Sequence, residues 1–345
     1  MVPDLRFNYK NNWQRVKLGH ILKIKSGMDQ KKVQCSNGKY NIYGTGGIIG
    51  RTNTPLYSKE SVGIGRKGTI DKPFYFDKPF WTVDTLFYSE IIYHHPKFVY
   101  YLFQTINWRY YNQSTGVPSL TSSVIENISV SIPNDISEEI KISTFLDKIE
   151  ARIRTQMKII DNLNSLIKSI YALLLQNSPN EILSNICEIK KGEQLNSSSF
   201  DENAIYPVIN GGINPSGHTS KYNCKNKITI SEGGNSCGYV NYFEGEFWSG
   251  GHNYTLNQKI TFNYQYLYHY LKYKEPQLMT LRVGSGLPNI QKSSLSKFPI
   301  YLPNIDKQDE YVKMFSSLSN KIDIEKSILQ LYLRQKEYFL SKLFI

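Results

Sequence analysis

The sequence predicts an α+β protein: two tandem mixed α/β domains separated by two long helices that form an antiparallel coiled coil, the whole with internal pseudo-twofold symmetry. Three observations predict this. The chain has 345 residues, more than one hydrophobic core usually organises. It repeats itself: Leu18, Ile21, Ile24, Lys25 and Gly27 recur 165 positions later as Leu183, Ile186, Ile189, Lys190 and Gly192, and Gly46-Gly47-Ile48 recurs as Gly211-Gly212-Ile213. Each copy also runs into a long stretch of heptad-spaced apolar residues. A period this long is a duplicated domain, because the units of a solenoid are only tens of residues.

The first globular half covers 1–134. Strand patterns lie at Val62–Ile64, Phe74–Phe76 and Ile128–Ile132, and Lys97–Ile106 reads as a helix. Gly63-Ile-Gly65-Arg-Lys-Gly68 matches GxGxxG, but a strand-and-turn pattern with Pro73 follows it. A dinucleotide fingerprint needs a helix there to receive the pyrophosphate, so the glycines are read as a tight turn presenting Arg66 and Lys67. Next comes Gly116-Val117-Pro118-Ser119-Leu120, then Pro133-Asn134.

The first spacer helix is expected within 135–178, its helical pattern running from 138 to 176. Asp135 and Glu138 have the spacing of a capping box, and Asn177-Ser178-Pro179 ends the helix. Ile149, Ile153, Gln156, Ile160, Leu163, Ile167, Ile170 and Leu174 alternate steps of four and three, the seam of a coiled coil.

The second half covers 179–304 and echoes the first. Strands are expected at Lys227–Ile230 and Phe298–Leu302 and a helix at Tyr264–Lys272. Ser231-Glu-Gly-Gly-Asn-Ser-Cys-Gly238 stands where the first half has its basic turn, with glycines kept and the Arg-Lys pair lost. Gly286-Leu287-Pro288-Asn289-Ile290 and Pro303-Asn304 follow, 170 positions after their counterparts. The second spacer helix is expected over 305–345. Its seam is Leu318, Ile322, Glu325, Leu329, Tyr332, Phe339 and Leu343, each 169 positions from its partner, with Lys336 at one seam position, its stem along the seam and its ammonium in water.

Composition narrows the function. Lys+Arg 41 against Asp+Glu 29 gives a net charge of +12, which favours a polyanionic partner. The four cysteines form no CxxC pair, so neither a structural zinc nor a disulfide framework is expected. The polar N-terminus has no secretory pattern and no apolar run is long enough to span a bilayer, so a cytoplasmic protein without membrane partners is expected. His94-His95 and His252-Asn253 lack further ligands at metal spacing, and no nucleophile elbow, P-loop, HExxH or adenine-methyltransferase motif occurs. The candidate DNA-binding residues are Lys25, Arg51, Arg66 and Lys67 in the first half and Lys190, Lys221, Asn235, His252 and Asn253 in the second, with no catalytic and no metal-ligating residues. A protein-interaction scaffold and an unrecognised DNA-modifying enzyme remain alternatives on these residues alone.

The chain resembles the specificity subunit (HsdS) of type I restriction-modification systems. The resemblance rests on VKLGHILKIKSG, YNIYGTGGIIG, GIGRKGT and STGVPSL in the first half and on LSNICEIKKG, YPVINGGI, GSGLPNI and FPIYLPN in the second. It implies that each half is a target recognition domain reading one part of a bipartite double-stranded DNA sequence. It implies further that the helices set the gap between those parts and bind two modification (methyltransferase) subunits. Restriction (translocase/endonuclease) subunits would complete the assembly. S-adenosylmethionine, ATP and Mg would then sit on the partner subunits, with none bound directly by this chain.

Overall fold

The structure, a computed structural model, describes residues 5, 7, 9, 12–174, 177–284 and 286–344, with Leu174 described in its backbone only. The chain divides into two compact units. One comprises residues 1–157 together with 327–345, the other residues 158–326.

In the first unit β1 (Trp13–Lys17), α1 (Leu18–Ile21), β2 (Leu22–Ser26), β3 (Tyr40–Gly44), β4 (Gly47–Thr52), β5 (Ser61–Gly65), β6 (Phe74–Phe76), β7 (Phe80–Thr82) and β8 (Leu86–Ile91) precede α2 (Pro96–Thr105), α3 (Ser122–Glu126) and β9 (Ser129–Pro133). The long helix α4 (Ile136–Leu174) then begins. A four-stranded sheet has the order β2-β8-β5-β6, a three-stranded sheet the order β4-β3-β7, and β1 pairs with β9. The main core lies between the four-stranded sheet and α2, where Leu22, Val62, Ile64 and Phe87 meet Phe98, Val99 and Leu102.

The second unit continues with β10 (Glu181–Ile182), α5 (Leu183–Ile186), β11 (Cys187–Lys191), β12 (Tyr206–Ile209), β13 (Gly217–Thr219), β14 (Cys224–Ser231), β15 (Val240–Ser249) and β16 (Asn253–Gln258). It ends with α6 (Tyr264–Tyr273), α7 (Glu275–Met279), α8 (Lys292–Ser296), β17 (Pro299–Ile300) and the start of α9 (Ile305–Leu343). One six-stranded sheet, β11-β16-β14-β15-β12-β13, replaces the two of the first unit. The difference lies in one segment. The ten residues of β15 stand where the first unit has β6 and β7, which Asp77-Lys78-Pro79 interrupts. Proline has no N–H to donate to a ladder, so the strand breaks there and the sheet divides.

The duplication is legible bond by bond. Leu18 N donates to Ile128 O and Leu183 N to Phe298 O, both at 2.9 Å. Ile92 N donates to Ile21 O at 2.8 Å and Lys259 N to Ile186 O at 2.9 Å. The Trp81 indole donates to Met28 O and the Trp248 indole to Glu193 O, both at 2.9 Å.

At the start of α4 the Asp135 carboxylate accepts from Ser137 N at 2.8 Å, one residue before the partner a capping box would give it, and Glu138 Oε1 accepts from the Trp13 indole at 3.2 Å. Within the first unit, α4 and α9 run antiparallel: Phe145 meets Phe339 edge-on with centroids 4.8 Å apart, and further along α4 Glu150 meets Lys336, which is earlier in α9. The Lys336 ammonium is therefore not in water as expected; it bonds Glu150 Oε1 at 2.7 Å with both side chains mostly buried. Within the second unit Tyr171 stacks on Phe315 at 4.1 Å and on Tyr273 at 4.6 Å.

Along the seam Ile149, Ile153, Gln156, Ile160, Ile322, Glu325 and Leu343 are buried, and Leu163, Ile167, Ile170, Leu318, Leu329, Tyr332 and Phe339 are half-buried. The Leu174 side chain lies outside the described residues. The seam starts earlier than the sequence reading placed it, with Ile142, Leu146 and Phe315 all buried.

His269 carries a pH-dependent share of the second unit's stability. Its ring lies 5.3 Å from that of Phe315, and Nδ1 is 3.2 Å from the Tyr171 hydroxyl. Burial pushes its pKa down from 6.5 to about 4. The unfolded chain therefore binds the extra proton first, so stability is complete above pH 6.5 and falls as the pH drops towards 4. The loss across this window is about 2–3 kcal/mol. His269→Phe is expected to flatten that dependence in urea titrations followed at the second unit; an unchanged slope would refute the assignment.

Candidate nucleic-acid interface

In the first unit three glycine-bearing loops converge. The β3–β4 hairpin turns through Thr45-Gly46. The turn after β5 carries Arg66 and Lys67 and ends at Gly68, whose φ of +86° only glycine adopts readily. A Cβ on Gly65 would lie 2.0 Å from Thr69 O, and one on Gly68 would come 3.8 Å from Thr45 Oγ1. These glycines thus serve a β-turn beside the hairpin and no phosphate-binding helix follows. The third loop, 112–120, docks on the turn: Gly68 N donates to Pro118 O and Leu120 N to Arg66 O, both at 2.9 Å. Asn112 Oδ1 closes that loop by accepting from Ser114 N and Ser119 N at 3.1 and 2.9 Å.

The second unit builds the same end from the second copy of each motif. Ser231 Oγ donates to Gly211 O at 2.6 Å, tying the hairpin-like Gly211-Gly212 turn to the end of β14. Gly234 N donates to Pro288 O at 3.0 Å and Ile290 N to Glu232 O at 2.8 Å. Arg66 N on Thr85 O has its counterpart in Glu232 N on His252 O, so Glu232 occupies the place of Arg66 and Gly233 that of Lys67. The Glu232 carboxylate is satisfied internally, accepting from Lys191 Nζ at 2.7 Å and the Tyr254 hydroxyl at 3.0 Å. Burial, aided by that carboxylate, holds the Tyr254 phenol well above its usual range.

The other candidate residues divide by what they touch. Lys67 is exposed beside the loop junction, and Arg66 lies half-buried with its guanidinium 5.9 Å from the Phe87 ring centre and Nη1 3.4 Å from Asp84 O. Arg51, exposed on β4, donates to Gly38 O at 3.3 Å. Lys25 and Lys190 stand on the equivalent strands β2 and β11 and each has an exposed carboxylate neighbour, Glu90 at 3.4 Å and Glu193 at 4.0 Å. Such exposed pairs open at little cost. Lys221, Asn235 and His252 are exposed. Asn253 is a correction: its side chain is 1% exposed and donates to Ser249 Oγ at 3.3 Å, so it cannot reach a base. It begins β16 as Leu86 begins β8, and that position packs inward in both units.

His94 and His95 serve the helix start. His94 Nδ1 lies 2.7 Å from Glu139 Oε1, and His95 N donates to Glu139 Oε2 at 2.8 Å. Among the described residues no group of three His, Cys, Asp or Glu is placed to hold a metal, and no helix is long and apolar enough to cross a membrane.

A family model described as the type I restriction modification DNA specificity domain matches residues 10–165 and again 181–331. The chain belongs to this family. It is 28% identical over 166 residues to a protein of Mycoplasma genitalium described as a type I specificity subunit, covering 47% of this chain and 43% of that one. It is 30% identical over 172 residues to a similarly described Mycoplasma pneumoniae protein, covering 49% and 46%. The chain thus spans less than half the length of the curated relatives it matches. Among solved structures, a type I restriction-modification S subunit from M. genitalium superposes with a TM-score of 0.70 at 20% identity, over 100% of this chain and 99% of that one. A chain from a study of type I complex assembly superposes at 0.60 with 14% identity, over 97% and 98%. These two likenesses concern the fold.

Arg109 joins the first loop cluster although its sequence neighbourhood does not place it there. Arg109, 80% exposed, bonds Asp71 Oδ2 at 2.7 Å, and that bond holds the Asp71 carboxyl below its usual range. Together with Lys72, Asn112 and Pro118 this pair lines a cleft of about 500 Å³ beside Gly68. The available signal was Trp108-Arg109-Tyr110-Tyr111, a basic residue among aromatics, with Tyr110 79% exposed.

Proposed function

We propose that this chain is the DNA-recognition subunit of a type I restriction-modification complex, without catalysis of its own, each half reading one part of a bipartite duplex target. The observation that carries this is the duplicated loop end: in both units the turn after the central strand and the loop that docks on it are joined by equivalent hydrogen bonds, and the two copies present different side chains on one scaffold. Two readers on one frame suit two different half-sites. Adenine methylation and cleavage would belong to two modification subunits and to restriction subunits in the cytoplasm, which would also carry S-adenosylmethionine, ATP and Mg.

The long helices support a partner-binding role. Ile159, Leu166 and Leu173 on α4, and Ile324, Leu331 and Tyr338 on α9, are exposed at intervals of seven. A second apolar stripe at heptad spacing suits another helix. The helices are also the natural spacer, each about 60 Å long for 39 residues.

The test is the host methylome. With the gene present it should contain one bipartite motif that disappears on deletion. A heptad inserted at matched positions in both helices adds about 10 Å, so the unspecified gap should grow by roughly three base pairs. An unaltered gap would remove the spacer role, and a methylome indifferent to the deletion would remove the recognition role.

A further inference from the structure

Among the described residues nothing crowds Gly116 or Gly286. A Cβ on either would meet nothing within 4 Å, and neither has a left-handed φ. Gly65 and Gly68 differ, since a side chain there would clash or be strained. Two copies that have diverged enough to exchange Arg66 for Glu232 have nonetheless both kept glycine at this point. A glycine that neither packing nor conformation requires fits a backbone that something else approaches closely.

The next residue sharpens this. Val117 is 64% exposed and Leu287 84%, both apolar, both followed by proline. These tips are held firmly. Pro118 O and Pro288 O accept from Gly68 N and Gly234 N, and the second loop is further closed by paired bonds between Val283 and Asn289 at 2.8 and 2.9 Å. The first tip's neighbours Asn112, Ser114 and Ser119 are polar, and Lys67 forms a bridge with Ser119. One apolar side chain among polar neighbours at the first tip, and Leu287 with exposed Val283 at the second, offer little area beside the roughly 800 Å² per partner of a protein interface. A DNA groove suits such a tip, because thymine methyls and base steps are apolar targets there.

We propose that Gly116-Val117-Pro118 and Gly286-Leu287-Pro288 are the base-contacting tips of the two halves. The glycine lets the duplex come against the backbone, and Val117 or Leu287 makes the apolar contact with bases. This rests on the recognition reading above and adds which residues read.

The test uses the full chain assembled with its modification subunits. The probes are a duplex carrying the methylated motif, the same duplex with each thymine in turn replaced by deoxyuridine, and a random duplex. Gly116→Ala, Gly286→Ala, Val117→Ser and Leu287→Ser should keep the wild-type thermal midpoint and lose less affinity for the random duplex than for the motif. Their affinity for the motif should fall about 5- to 100-fold, as for one lost base contact, with an unchanged salt slope because no phosphate contact is lost. A deoxyuridine that weakens wild type but not the serine variant identifies a thymine-methyl contact. Variant losses without any uridine effect assign the tip to a base step, and also support the proposal. Alanine variants that bind the motif like wild type overturn it, as does a loss confined to subunit assembly. A wild-type complex that does not distinguish motif from random duplex sinks the recognition reading itself, and this inference with it.

Discussion

Phe344→Ala is expected to destabilise the first unit by about 3–5 kcal/mol, although the residue lies at the far end of the chain from that unit's sheets. Phe344 is 7% exposed and lies beside fully buried Leu343. Its ring stacks on Phe98 at 5.3 Å and meets Trp13 edge-on at 6.2 Å. Truncation removes a large buried ring, leaves a cavity under Trp13, and forfeits two aromatic contacts worth roughly 0.5–1.5 kcal/mol each. The measurement is urea unfolding with hydrogen exchange resolved by region: protection in β1, α2 and the N-terminal part of α4 should fall together, while β14–β16 of the second unit should change little. A loss under about 1 kcal/mol would mean that the last turn merely rests on the unit.

The double reversal Arg66→Glu, Lys67→Glu is expected to lower DNA affinity of the assembled complex by roughly 100-fold or more near physiological salt, with a salt slope shallower by about two. Two cations that can meet phosphates are lost and two repelling charges are added. The fold should tolerate the change, since Lys67 is exposed and the Arg66 side chain makes only long contacts, to Asp84 O and Phe87, among the described residues. The second unit shows how a glutamate is accommodated at this place: Glu232 is held by Lys191 and Tyr254. Position 26, the counterpart of Lys191, is Ser26, so a glutamate at position 66 would have no such partner. Filter-binding or band-shift titration across salt concentrations checks this. Affinity that stays at the wild-type level would favour the interaction-scaffold alternative.

Much of the architecture was legible in residue spacing. The repeats at Leu18 and Leu183, and at Gly116 and Gly286, correspond to equivalent hydrogen bonds in the two units. The strands near Val62 and Phe74 and the helices near Lys97 and Tyr264 appear as β5, β6, α2 and α6. The candidate site was less legible. Asn253 reads as an exposed polar residue in a Gly-rich turn, yet its ladder position turns it inward. Arg109 belongs to the loop cluster through its bond with Asp71, 38 residues away in sequence, and no spacing rule announces such a pair. Lys336 could be placed on the seam, but its partner Glu150 lies 186 residues away.

From sequence alone came the duplication, the two heptad helices and the positions of the glycine turns, because periodicity and backbone preference act over a few residues at a time. Tertiary structure alone decided which segments complete which core. Residues 327–345 join 1–157 through Leu343 and Phe344, and 158–174 pack through Tyr171 on Phe315 and Tyr273. The physical reason is that an apolar stripe states only that a face must be covered; the path of the whole chain determines what covers it.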